Sequence, residues 1–163
     1  MKFGWKLFRI VCFLQLLTSV LYGFIALIST FREGDLNYLI QAAAFFLMAW
    51  FAGFAVQTLN EHYPDVPVSG KTKSTFNWLF LLNFLLLAFL FGLLIREYRA
   101  LEKIAVLINR KVWNLPSEMF TELIAYTAML VFQILILYGM YSLRVLLFRN
   151  YHKKTFEFEE HTH

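Results

Sequence analysis

Four long stretches of the sequence contain no charged residue, and they constrain the fold more than any other feature. They cover residues 10–31, 36–60, 74–95 and 123–143, and each is at least 21 residues long. A helix needs about 20 mostly apolar residues to cross a hydrocarbon layer of ~30 Å. Because backbone polar groups cannot stay unpaired in lipid, each stretch is predicted to be a membrane-spanning helix.

Composition leaves little room for a separate soluble domain. The 163 residues are 60% apolar and 16% charged, against about 45–50% and about 25% in soluble domains. We therefore predict one domain over residues 1–163, an all-α integral membrane protein folded as a four-transmembrane-helix bundle. The predicted segments are spans at about 10–31, 36–60, 74–95 and 120–145 and a polar C-terminal tail at 146–163.

The connection between the third and fourth spans has a helical pattern of its own. Apolar residues recur there at helical spacing while charged residues fill much of the remaining circumference. This pattern predicts an amphipathic helix over about 97–113 that lies at the membrane surface or caps the bundle. The surface predicted to meet a partner comprises Leu101, Ile104, Ile108 and Trp113.

Basic residues favour one orientation of the predicted spans. Four spans place both termini and the 61–73 loop on one side, which holds nine Lys and Arg residues against six on the other. The positive-inside rule then predicts cytoplasmic N- and C-termini. The loops are short and no N-x-S/T sequence occurs, which favours a bacterial inner membrane.

A few amide and hydroxyl side chains lie within the predicted spans. Asn83 and Gln133 can reach a depth similar to that of a polar face on the first span, given about 1.5 Å of rise per residue. That face comprises Gln15, Thr18, Ser19 and Tyr22, which recur at helical spacing. Three interpretations remain open: interhelical bonds worth roughly 0.6–2 kcal/mol each, a pocket for a small ligand, or contact with a partner helix.

Small residues predict where helices approach each other closely. Three spans carry two small residues four apart, a spacing that allows backbones to meet. The pairs are Ser19/Gly23, Ala49/Gly53 and Ala88/Gly92. Ala88 and Gly92 share a membrane half with Ala125 and Ala128 of the fourth span, so these two pairs are expected to meet.

Several kinds of chemistry lack the residues they need. No acidic, basic or histidine residue lies inside any uncharged stretch, which argues against proton relays, coupling-ion sites and intramembrane haem ligation. The single cysteine, Cys12, excludes an internal disulfide. We predict no catalytic residues, no cofactor and no metal site, and we expect no nucleic-acid partner.

The leading hypothesis is a non-catalytic integral membrane protein, a small structural or accessory subunit or assembly factor of a larger membrane complex. The second is a carrier or binding protein for an apolar or zwitterionic small molecule or lipid, through a polar face lined by Gln15, Asn83 and Gln133. A third is a lipid-modifying enzyme acting at the interface with His62, His152 or glutamates of the 96–122 connection.

Overall fold

Long helices account for nearly all of the chain. The computed structural model describes residues 3–62, 70–109 and 111–160, with side chains over 4–61, 74–109 and 111–145. The helices are α1 (Phe3–Glu33), α2 (Leu36–His62), α3 (Gly70–Leu107) and α4 (Thr121–Glu160), and the described residues contain no strand. Four helices are long and apolar enough to cross a membrane, so the predicted fold class is confirmed at this level.

A two-residue connection makes α1 and α2 antiparallel neighbours. Gly34 adopts a φ of 69° and its N–H donates to the Thr30 carbonyl at 2.8 Å, a left-handed ending that glycine allows at no steric cost. The Asp35 carboxylate then accepts the backbone N–H of Asn37 at 2.9 Å and caps the start of α2. The turn is therefore encoded locally.

The third helix is longer than predicted. Residues 97–107, predicted to belong to a separate amphipathic helix, are the last turns of a continuous α3 of 38 residues. No glycine or proline follows Gly92 until Pro116, so nothing in the sequence breaks the helix near Ile95. It ends instead where Asn109 adopts a φ of 53°, a left-handed conformation that asparagine tolerates better than most residues.

Two short 3-10 turns join α3 to α4. They cover Val112–Asn114 and Ser117–Phe120. Leu101 and Ala105 of α3 are buried against Leu115, and Phe120 and Leu123 pack on the same small apolar cluster. Part of the apolar face of the predicted amphipathic helix is thus used within the chain.

Around the bundle the order is α2, α1, α4, α3, and among these neighbouring pairs α2 and α3 touch least. At the end that carries the termini, an arginine–asparagine hydrogen bond joins each of two helix pairs. Arg9 donates to Asn60 between α1 and α2, and Arg144 donates to Asn77 at 3.1 Å between α3 and α4. The side chains of the predicted tail, 146–163, are not among those the structure describes. Residues 63–69 and 161–163 lie outside the described residues altogether.

Candidate functional site: a buried amide layer

Two apolar clusters fill the interior of the bundle, one near the termini and one towards the interhelical connections. Phe51 and Ile136 are representative of the first, and Phe45 and Met129 of the second. Between them lies a thin polar layer. Four side chains in and beside it are fully enclosed, with no solvent-exposed surface: Gln15, Ser19, Asn83 and Gln133.

Gln133 lies at the centre of this amide layer and joins three helices. Its Oε1 accepts a hydrogen bond of 3.0 Å from Nε2 of Gln15 on α1. Its own Nε2 donates to Oδ1 of Asn83 on α3. A protein interior strengthens hydrogen bonds and makes unpaired polar groups costly, and this chain of amides links α1, α3 and α4.

The second helix contributes a sulfur rather than an amide. Nε2 of Gln15 also donates to Sδ of Met48 at 3.9 Å, a weak bond because thioether sulfur is a poor acceptor. Met48 is fully buried. All four helices therefore contribute a side chain to the amide layer.

The amide layer does not satisfy all of its own polar atoms. Among the described residues, Oε1 of Gln15, Oγ of Ser19 and Nδ2 of Asn83 have no hydrogen-bond partner. Buried polar atoms are nearly always paired with protein or ordered water. The amide layer thus retains two acceptors, one on an amide and one on a hydroxyl, and two kinds of donor, the Ser19 hydroxyl and the Asn83 amide.

Two members of the predicted polar face point elsewhere. Thr18 donates to backbone carbonyls of its own helix, at 2.9 Å to Leu14 and 3.1 Å to Gln15. The Tyr22 ring lies 5.6 Å from that of Tyr126 and packs on the second apolar cluster. Of the predicted set, hydrogen bonds therefore join Gln15, Asn83 and Gln133, and Ser19 is buried one turn from Gln15 without a partner.

The predicted packing pairs on α1 and α2 lie at the contact between these two helices, whereas the pair on α3 does not lie at a helix contact. Gly23 faces the Phe46 ring, which lies 3.1 Å from the position of a Cβ atom added at Gly23, and Gly53 faces Leu16 at 3.6 Å. Ala49 is buried. These residues lie where the two helices pack most closely.

On α3 the outcome differs from the prediction. Ala88 and Gly92 are exposed, and nothing lies within 4 Å of a Cβ added at Gly92. They therefore do not form the expected close contact with Ala125 and Ala128. Uniformly apolar helices have no polar side to indicate which face turns inward.

A close contact that sequence reasoning missed joins α1 to α4. The Phe8 ring occupies the space beside Gly139, and its Cε2 and Cδ2 atoms would overlap an added Cβ. Gly139 is the only glycine of the fourth uncharged stretch, and that was the available signal. It has no small residue four positions away, so the search for two small residues at that spacing did not identify it.

The predicted partner surface is only partly available. Leu101 is buried against the chain's own connection, whereas Ile104, Ile108 and Trp113 are exposed, Trp113 by 78%. The described residues contain no cluster of three or more potential metal ligands. The side chains of His62 and His152 lie outside the described ones.

Comparison of the chain with protein-family models, with curated proteins and with solved structures finds no significant match. The case for a function therefore depends on the geometry described above.

Proposed function

We propose that this chain is a non-catalytic integral membrane protein, a small structural or accessory subunit or assembly factor of a larger membrane complex. The observation that carries the proposal is the amide layer, in which Gln15, Gln133 and Asn83 bond mainly to one another. Amides engaged in this way hold helices in register. In lipid, burial of apolar side chains does not by itself drive helices to associate, and hydrogen bonds between helices supply part of that free energy.

Insertion in a bilayer is supported by the outer surface of the bundle. Large apolar side chains stand outward on every helix, among them Phe13 and Phe24 on α1, Ile40 on α2, Leu85 on α3 and Ile134 on α4. Soluble proteins rarely expose large contiguous apolar patches. A lipid environment removes the cost of exposing them.

A partner surface is proposed at the connection between α3 and α4. Trp113 is 78% exposed, and Ile108 and Ile104 are exposed with it. Exposed tryptophan is enriched among the residues that dominate protein interfaces. This location lies beyond the uncharged stretches, where a neighbouring subunit or the membrane interface would meet the bundle.

The test is affinity purification of the full chain at native expression in mild detergent. We expect a stoichiometric membrane partner, and its yield should fall at least fivefold for Trp113→Ala. A matched control is Trp78→Ala, which changes a similarly exposed tryptophan (72%) near the start of α3, at the other end of the bundle, and which should retain the partner. Recovery as a lone monomer, or equal losses from both variants, would contradict the proposal.

The proposed location is a bacterial inner membrane with both termini in the cytoplasm, as the nine-to-six distribution of basic residues favours. Alkaline phosphatase fused to the C-terminus in a bacterium should then be inactive, while a fluorescent protein fused there should fluoresce. The reverse pattern would invert the topology without affecting the fold.

The second candidate function, a carrier or binding protein for an apolar or zwitterionic small molecule or lipid, is favoured by one specific observation. Polar atoms of Gln15, Ser19 and Asn83 are buried without partners, and a polar ligand group could pair with them. Ser19→Ala removes one such atom without touching the amide bonds. If the purified variant loses a compound that the unmodified protein carries, and its stability is unchanged, the result supports a pocket. If both the bound compounds and the stability are unchanged, the result supports the structural role.

A further inference from the structure

One narrow stripe of α3 combines an open glycine with three basic residues. Gly92, Arg96, Arg99 and Lys103 follow one another at steps of four, three and four residues. With 3.6 residues per turn, these steps place all four within about 60° of the helix circumference. All four are exposed, and the acidic Glu97 and Glu102 fall to either side of the stripe.

The stripe borders two open depressions, one on the face of α3 alone and one between α2 and α3, which together are called the groove here. A depression of about 410 Å³ is lined by Gly92, Ile95, Arg96, Arg99, Ala100 and Lys103. A second depression of about 480 Å³ lies between α2 and α3 and shares Gly92 and Arg96. Its wall contains Ile40 and Phe89 and, next to the α1–α2 connection, the acidic residue Asp35. Both meet at Gly92, where no atom lies within 4 Å of an added Cβ.

Charge is distributed unevenly along this groove. Arg96 is held by Glu97, whose Oε1 accepts from Nε at 3.0 Å and from Nη2 at 2.8 Å. Among the described side chains this is the only ion pair within 4.0 Å, so Arg99 and Lys103 have no carboxylate at that distance. Towards the middle of the bundle the same face becomes apolar, with Leu85 66% exposed.

We propose that this groove binds an anionic phospholipid. The phosphate lies between Arg99 and Lys103 with Arg96 at its edge, and an acyl chain runs over Gly92 towards Leu85. The groove is basic at one end and apolar at the other, as is an anionic phospholipid. A free phosphate would contact the basic end only. The site rests on the bilayer insertion proposed above, but not on the existence of a partner subunit.

Native mass spectrometry of the detergent-purified full chain tests this site. The protein is incubated with equal amounts of palmitoyl-oleoyl phosphatidylglycerol and palmitoyl-oleoyl phosphatidylcholine. Each basic residue at an anionic surface strengthens binding by roughly fivefold. The double variant R99Q/K103Q is therefore expected to weaken phosphatidylglycerol binding about 25-fold while retaining the Arg96–Glu97 pair.

A matched control removes the same charge at the same end of the bundle. The variant R32Q/K111Q changes two exposed cations that do not line either depression and should bind phosphatidylglycerol as the unmodified protein does. Gly92→Leu adds a side chain to the groove at a position where a Cβ has no protein atom within 4 Å, and it should weaken phosphatidylglycerol binding while leaving thermal stability unchanged.

Three outcomes would overturn the site. They are equal phosphatidylglycerol binding by R99Q/K103Q and the unmodified protein, equal losses in both double variants, and displacement of the lipid by millimolar inorganic phosphate. Equal binding of the two lipids would also end the claim of anionic selectivity while leaving bilayer insertion intact. Failure to find a partner subunit would refute the proposed function and leave this result unchanged.

Discussion

Two glycines in neighbouring helices have opposite surroundings. At Gly139 on α4 the Phe8 ring of α1 occupies the place of a side chain, whereas at Gly92 on α3 there is open space. The first glycine lies at the tight contact between α1 and α4, called the closed seam here, which also contains the Gln15–Gln133 hydrogen bond. A depression of about 320 Å³ lies on its outer side, beside Phe8 and Gly139. The second lies beside the open seam between α2 and α3, the helices of the ring that touch least.

The difference teaches that a small residue in an apolar helix has no fixed meaning. Gly139 permits a ring to pack against backbone, and Gly92 borders the groove. Which role applies depends on the neighbouring helix and not on the glycine. Substitutions that add the same side chain at both positions therefore separate a closed seam from an open one.

The largest effect is expected for Gly139→Leu. Its side chain would overlap the Phe8 ring, which is buried and packed edge-on against Trp5 at 5.8 Å, and overpacking of this kind costs about 3 kcal/mol. Unfolding in mixed detergent, followed by circular dichroism, measures the loss. In a Phe8→Ala background the added leucine should cost less than about 1 kcal/mol, and an unchanged cost would show that Phe8 is not the obstacle.

A smaller loss is expected for Gln133→Leu, which opens the closed seam from within. It removes two interhelical hydrogen bonds, each worth roughly 0.6–2 kcal/mol in a membrane protein, so the free energy of unfolding should fall by about 2.5 kcal/mol. Gln57→Leu is the control, because Gln57 is exposed and bonds only to Glu61 of its own helix. Equal losses in the free energy of unfolding for the two variants would show that the amide layer does not stabilise the fold.

Next in size is Leu101→Ala, which tests whether the last turns of α3 belong to the packed part of the molecule. Leu101 is 6% exposed against Leu115, and truncating a buried leucine costs about 2 kcal/mol at the lower end of the usual range. Leu107→Ala, six residues on and 84% exposed, should change stability by less than about 0.5 kcal/mol. Similar losses of stability for the two variants would mean that Leu101 is not packed against the connection in the purified protein.

The smallest effect is expected for Gly92→Leu, which adds the same side chain as the first prediction. Because the open seam has room for it, the free energy of unfolding should change by less than about 0.5 kcal/mol. A loss comparable with that of Gly139→Leu would show that α2 and α3 close around this position and would remove the contrast.

Much of the fold was predictable because a membrane imposes a length on its helices. The uncharged stretches indicated four helices, and amides at similar depths indicated that Gln15, Asn83 and Gln133 would meet. Helix rotation was harder to predict. A helix that is apolar all round has no polar side to turn outward, so the sequence could not place Ala88 and Gly92 on an exposed face.

Two further features depended on information that local patterns lack. The contact between Phe8 and Gly139 joins residues far apart in sequence, and only the packing of α1 on α4 brings them together. The end of α3 was placed too early because charged residues beginning at Arg96 suggested a boundary. Charge marks where a helix leaves an apolar layer, whereas breakers and left-handed residues such as Asn109 mark where it ends.

The bond between Gln15 and Met48 gives the amide layer a direction. If all three amides rotated by half a turn, the same two amide bonds would form with every donor and acceptor exchanged. Of the hydrogen bonds in the amide layer, the one to Met48 distinguishes the two arrangements, because its sulfur accepts from Nε2 of Gln15 and cannot pair with an oxygen there. The second helix, which contributes no amide to the layer, thereby favours one of the two opposite hydrogen-bond directions along the other three.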